Sequence, residues 1–218
     1  HETAGNYKKG RGAQINPANR FEKHDYVAEP DIEPLQQDLP STEYIEVFPK
    51  TMINKVTSPD LPMDWSANPY QGCEHGCVYC YARPTHAYMG LSPGLDFESK
   101  LFIKPNAAAL LREELTAPNY LPRTMALGSN TDPYQPIERT YRITRQILEV
   151  LSEFNHPVGI VTKSALVLRD LDILTSMAQR GLVKVAISVT TLDGKLARVM
   201  EPRASTPAKR LDAIRVVS

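Results

Sequence analysis

From residue 99 onward the sequence alternates between short apolar runs and segments with a 3.6-residue apolar period. "KLFIK" (100–104) reads as a strand and "NAAALLREEL" (106–115) as the helix after it. "RTMALGSN" (123–130) is an apolar strand running into a polar turn. "RTYRITRQILEVLSEF" (139–154) spaces Ile143, Ile147, Val150, Leu151 and Phe154 along one helix face. "HPVGIVTKS" (156–164) is a strand, and "RDLDILTSMAQRG" (169–181) is a helix with Gly181 at its C′ position. "LVKVAISVTT" (182–191) is a further strand; Thr206 then caps a last helix with Pro207 at N1, running through Leu211 and Ile214. Units of roughly 25–35 residues in this order imply right-handed crossovers and a parallel sheet. The fold class is therefore α/β.

In such folds the chemistry gathers at the C-terminal strand ends. Those ends read "GSNTDPYQP" (128–136), "TKSA" (162–165) and "SVTTLD" (188–193). Taken singly, Asn130, Thr131 and Asp132 suit turns and caps and Lys163 a solvated loop. Their shared edge of the sheet makes them candidates for a site.

All three cysteines lie in "NPYQGCEHGCVYCYAR" (68–83): Cys73, Cys77 and Cys80. The odd number and short spacing exclude a structural disulfide framework. Metal ligation remains, in two forms. A closed Cys3His zinc site would take His75 or His86 as its fourth ligand. An iron–sulfur cubane on three thiolates would instead leave one iron open; Gly72 and Gly76 would let one loop wrap it.

Composition narrows the partners. Lys plus Arg and Asp plus Glu both number 25, so the net charge is zero and exerts no global pull on nucleic acid or anionic membrane. No apolar run approaches the ~18 residues of a membrane span. Residues 1–43 hold only 12 apolar residues and show no period, so we expect an extended or partly disordered arm there and the folded core over 44–218. The arm's Lys8, Lys9, Arg11, Arg20 and Lys23 are offset by Glu2, Glu22, Asp25 and Glu29, which argues for a solvated tail packing over the domain rather than a nucleic-acid arm. The start at His1 and the stop at Ser218, inside a helix, read as a piece of a longer protein.

The spacing Cys73-x3-Cys77-x2-Cys80, with Tyr79 before the last cysteine, resembles the radical S-adenosylmethionine superfamily. "GRGAQINPANRF", "LGSNTDPYQPIE", "IVTKSALVLRDLDIL" and "ISVTTLD" are similar to a bacterial subgroup related to spore photoproduct lyase, often labelled DNA-repair-photolyase-like. The resemblance implies a partial (β/α)6 TIM-like barrel, represented here by its first four βα units after the N-terminal arm. It also implies a [4Fe–4S] cluster on Cys73, Cys77 and Cys80 that reductively cleaves S-adenosylmethionine. The resulting 5′-deoxyadenosyl radical abstracts a substrate hydrogen.

Carried over by position, Tyr79 offers its backbone to the adenine. Thr131 and Asp132 face the cofactor's amino group, where the family often has a Gly-Gly-Glu-like segment that this sequence lacks. Lys163 faces the carboxylate, Ser188 and Thr190 the ribose, and Arg203 adds positive charge near the carboxylate or makes a helix-end salt bridge. Spore photoproduct lyase uses a further cysteine as hydrogen donor; no cysteine follows Cys80 here. A low-potential electron donor of flavodoxin or ferredoxin type, nucleic acid as a substrate class and a reducing cytoplasm complete what the resemblance implies. The competing readings are the zinc module and a nucleic-acid binder using the basic arm.

Overall fold

The computed structural model describes residues 7–19, 21, 41–57 and 63–218. In chain order its elements begin with β1 (Glu43–Glu46), β2 (Asn54–Lys55), β3 (Trp65–Ala67), β4 (Tyr70–Gln71), α1 (Asp96–Ser99) and β5 (Lys100–Ile103). Next come α2 (Ala107–Leu115), β6 (Met125–Leu127), α3 (Glu138–Tyr141), α4 (Ile143–Glu153) and β7 (Val158–Thr162). The chain ends with α5 (Leu171–Gln179), β8 (Val183–Ile187), α6 (Gly194–Met200) and α7 (Pro207–Val217).

The main sheet has the order β2-β3-β6-β7-β8. Its last four strands run parallel, with Met125 opposite both Trp65 and Val158, and Val158 opposite Val183. Strand β6 is buried throughout, and β7 buries Val158, Ile160 and Thr162 in strict alternation. Helices α2, α4 and α5 cover the sheet with Leu111, Ile147, Leu151, Leu174 and Met177, all in one core. Gly181 takes φ 67° after α5, and Thr206 accepts the Lys209 amide at the start of α7, as their sequence positions imply.

Three elements differ from the sequence reading. The strand "KLFIK" exists as β5 but joins a separate sheet of order β1-β5-β4, and the first parallel strand of the main sheet is the short "WSA" of β3. Ser66 and Ala67 are buried, so β3 has no polar–apolar alternation to reveal it. The helix expected over 139–154 is two helices, because Arg142 takes a left-handed φ of 51°. The buried Glu138 carboxylate then accepts the Thr144 and Arg145 amides at 3.0 and 3.3 Å, capping α4 from α3. Helix α6 is the third and buries no apolar stripe; Asp193 caps it, accepting the Lys195 and Leu196 amides, and only Ala197 is buried.

Residues 7–19 carry no helix or strand and lie against the segment that follows the cysteines, with Arg11 and Asn19 buried. Arg11 donates to the Glu98 carbonyl and Thr42 Oγ1, so this basic residue faces inward. Residues 1–6, 20 and 22–40 of the expected arm lie outside the described residues. No described helix is long and apolar enough to cross a membrane.

Candidate cofactor site

The loop carrying the cysteines follows β4 of the smaller sheet and meets the C-terminal ends of β6 and β7 of the main one, and its shape is set by backbone contacts. Cys73 donates its amide to the Phe97 carbonyl at 2.9 Å, Val78 to Met200 at 3.0 Å, and Arg203 to the His75 carbonyl at 3.2 Å. Two glycines make the turns. Gly72 has φ 79°, and a Cβ there would stand 2.7 Å from Leu101 and 2.9 Å from the Phe97 oxygen. Gly76 has φ 68°, and a Cβ there would stand 2.8 Å from a Glu98 carboxylate oxygen. No other residue fits either place without displacing buried atoms.

Cys73, Cys77 and Cys80 line one cleft of about 460 Å³, part of it open to solvent. Asn130, Thr131 and Asp132 after β6, and Thr162 and Lys163 at the end of β7, also line it. Cys73 and Cys77 are buried, Cys80 is half-buried, and all three are free thiols. Burial and the nearby Asp132 charge push Cys73 up, and burial lifts Cys77 to about 11 against the pull of Lys163. Such thiols stay protonated near neutral pH and lose the proton only when a metal takes the sulfur as thiolate.

Three thiols on one cleft fit a four-iron cluster that leaves one iron without a protein ligand. A tetrahedral zinc needs its sulfurs roughly 3.8 Å apart. Among the described residues no three His, Cys, Asp or Glu groups converge as one ion requires. Of the two histidines offered for the zinc site, His75 lines the cleft and His86 does not. His75 Nδ1 lies 3.3 Å from Asp132, and the His86 ring bonds the Lys100 carbonyl at 2.9 Å through Nε2.

The other expected site residues divide into two groups. Thr131, Asp132 and Lys163 reach the cleft. Thr131 turns its hydroxyl to the Tyr70 carbonyl at 2.9 Å. Asp132 accepts from Thr162 Oγ1 and the Tyr134 amide on one oxygen, and from the Lys163 amide on the other, where His75 also lies. Burial opposes its charge, but His75 and these donors outweigh it and hold the carboxyl below the usual aspartate value. The Lys163 ammonium lies 5.8 Å from the Tyr79 ring centroid.

Tyr79, Ser188, Thr190 and Arg203 do not line the cleft. Tyr79 and Thr190 meet each other at 3.1 Å, and both donate to the buried Glu201. Ser188 presents its carbonyl to Arg210 at 3.0 Å. Arg203 pairs with buried Glu74 at 3.4 Å.

The sequence reading missed Glu201 and Arg210, a fully buried ion pair that ties the Tyr79 hydroxyl to the region after β8. One signal was available. Arg210 shares the i, i+3 face of Pro207 and Ala213, which is the buried side of α7.

Residues 67–218 match the profile of the radical SAM superfamily. An uncharacterized protein of Mycobacterium tuberculosis is 42% identical over 173 residues, 79% of this chain and 51% of that protein. An uncharacterized protein of Methanocaldococcus jannaschii is 28% identical over 175 residues, 80% of this chain and 62% of that protein. The chain thus spans about half the length of the mycobacterial protein and under two thirds of the archaeal one. Spore photoproduct lyase complexed with dinucleoside spore photoproduct aligns with a TM-score of 0.57 at 17% identity, over 80% of this chain and 47% of that one. A double mutant of the same lyase with bound AdoMet and dinucleoside spore photoproduct gives 0.54 at 17% identity, with the same coverage. At such identities the likeness is one of fold, a partial barrel of parallel βα units.

Proposed function

The chain belongs to the radical SAM superfamily, and from that premise we propose that Cys73, Cys77 and Cys80 hold a [4Fe–4S] cluster whose open iron takes S-adenosylmethionine. The observation that carries this reading is the single cleft lined by three free thiols, the Asp132 carboxylate and the Lys163 side chain. When bound, cluster and S-adenosylmethionine together supply a 5′-deoxyadenosyl radical for hydrogen abstraction from a substrate.

The chain's own residues bind and orient. Lys163 sets a positive charge where the cofactor's carboxylate needs one. Asp132 serves as a fixed negative charge near the ammonium, and by gripping His75, Thr162 and the Lys163 amide it holds the two far sides of the cleft in register. Thr131 contributes backbone rather than its engaged hydroxyl. Tyr79 offers its backbone to the adenine, and its side chain is anchored through Glu201. Ser188 and Thr190, which stand outside the cleft with Thr190 bonded to Glu201, would serve the ribose, and Arg203, paired with Glu74, would add positive charge.

The electron donor is a low-potential protein of flavodoxin or ferredoxin type, which fits a reducing cytoplasm. The fold likeness to spore photoproduct lyase directs the substrate search to DNA.

Anaerobic reconstitution with iron and sulfide, then reduction and electron paramagnetic resonance with and without S-adenosylmethionine, tests the proposal. A cluster signal that changes on adding the cofactor is the expected result. Stoichiometric zinc and no cluster would sink it.

A further inference from the structure

We propose that residues 11–17 form a strap that positions the cysteine loop, acting through Glu98 and Arg83 on Cys77. The inference rests on the reading of the three cysteines as cluster ligands and adds to it a role for the N-terminal segment.

The relay begins with a carboxylate in an unusual place. Glu98 is fully buried. A carboxylate so buried needs several donors, because one left without partners is costly to keep from water. It has three. Gly12 donates its amide at 2.9 Å, Ala13 its amide at 2.7 Å, and Arg83 its guanidinium at 2.5 Å. Two of the three come from a segment more than eighty residues away in sequence.

Arg83 carries the constraint onward. Its Nη2 and Nε donate to the Cys77 carbonyl at 2.9 and 3.2 Å, and its Nη1 to Gly94 at 3.0 Å. The guanidinium therefore lies between the strap's anchor and the backbone of the middle cysteine. A second contact is direct. A Cβ on Gly12 would overlap the carbonyl oxygen of Gly76, the residue in left-handed conformation between Cys73 and Cys77. Gly12 is not among the residues lining the cleft, so it supports the loop from outside the cleft.

The rest of the segment is fastened independently. Asn16 exchanges two hydrogen bonds with Asp96, both 2.9 Å. The Leu95 amide donates to the Ile15 carbonyl at 3.1 Å, and Ser92 Oγ donates to the Pro17 carbonyl at 2.8 Å. A loop with two positive-φ glycines loses much conformational entropy when ordered. A strap that orders it before iron arrives favours capture of the cluster and slows its loss.

The test uses the full chain with Gly12→Ala, and with Asn16→Ala as a milder variant should the first misfold. Lys9→Ala, an exposed position, is the control. The first readout is the rate at which iodoacetamide alkylates Cys77 and Cys80 in the metal-free protein, resolved by peptide mass mapping. The second is the rate of iron release to a chelator after anaerobic reconstitution.

Alkylation of Cys77 at least tenfold faster, with little change at half-buried Cys80, is expected for the strap variants. Iron release should accelerate in parallel, with Lys9→Ala behaving as wild type. A general loss of stability would instead raise both cysteines together, so that pattern counts against a positioning role. Wild-type rates at Cys77 in both strap variants, in a protein that takes up iron normally, would overturn the strap alone. A wild-type chain that takes up no iron would overturn the cluster reading and with it the strap's purpose, whatever the alkylation rates.

Discussion

Cys77, one of the three proposed cluster ligands, is fixed by its backbone and not activated as a nucleophile. Burial lifts its thiol to about 11, far from the low values of reactive cysteines, and its backbone is held by Arg83. Replacing Cys73, Cys77 or Cys80 with Ser is therefore expected to remove bound iron and sulfide while leaving the far-ultraviolet circular dichroism unchanged. A variant that retains wild-type iron would exclude that cysteine as a ligand. Lys163 is a different case, since its ammonium shares the cleft with the thiols and sits near the Tyr79 face. A charge-assisted hydrogen bond is worth about 1.5–3 kcal/mol. Lys163→Met should accordingly weaken S-adenosylmethionine binding roughly 10- to 100-fold, read by equilibrium dialysis, at unchanged iron content. Equal affinity in the variant would remove Lys163 from the carboxylate site.

At the scale of elements, the junction of α3 and α4 carries the most concentrated polar burial. Glu138 accepts from Tyr70, Arg169 and the first amides of α4, and Asp170 beside it accepts from Tyr134, Arg145 and Arg169. Removing one partner of a buried pair costs about 3–5 kcal/mol. Glu138→Ala should lose at least that much in urea denaturation, because it takes one of the two carboxylates from Arg169, removes the acceptor of the Tyr70 hydroxyl and uncaps α4 together. Arg142, exposed and left-handed, offers the converse test. A non-glycine residue there pays about 1–2 kcal/mol of steric strain, partly offset by the greater chain entropy of glycine. Arg142→Gly is expected to leave stability unchanged or raise it by up to ~1 kcal/mol, whereas β-branched Arg142→Val lowers it. Equal loss in both variants would show that the Arg142 side chain, not its φ, matters.

For the whole molecule the pH dependence of stability follows from two buried histidines. Burial pushes both His86 and His156 below their ordinary 6.5, although hydrogen bonds to the Lys100 and Pro157 carbonyls pull the other way. Below pH 6.5 the unfolded chain binds protons that the folded chain refuses. Stability is therefore full above that pH and falls as the pH drops toward the folded values, with a slope of up to about 1.4 kcal/mol per pH unit for each group. Asp132 and Glu201, whose folded values are depressed, add their own loss in a lower window, beginning below their ordinary 3.8 and 4.5. Urea midpoints at pH 7.5 and 5.5 should differ clearly in wild type and less in His156→Gln. An unchanged difference would assign the slope elsewhere.

The α/β class, the order of the last strands and helices, the capping at Thr206 and Gly181, and the gathering of the three cysteines at one place were legible without coordinates. These are local properties: apolar period, turn chemistry and spacing depend on neighbours along the chain. Burial decided the rest. The three-residue β3 has too few residues for a pattern, and "KLFIK" looks the same whether it joins the main sheet or pairs with β1 and β4. The partners of Glu98 at Gly12 and Ala13, of Glu201 at Tyr79, and of Asp132 at His75 are separated by long stretches of chain. Only the packed fold selects them, because a carboxylate excluded from water must find donors wherever the tertiary structure brings them.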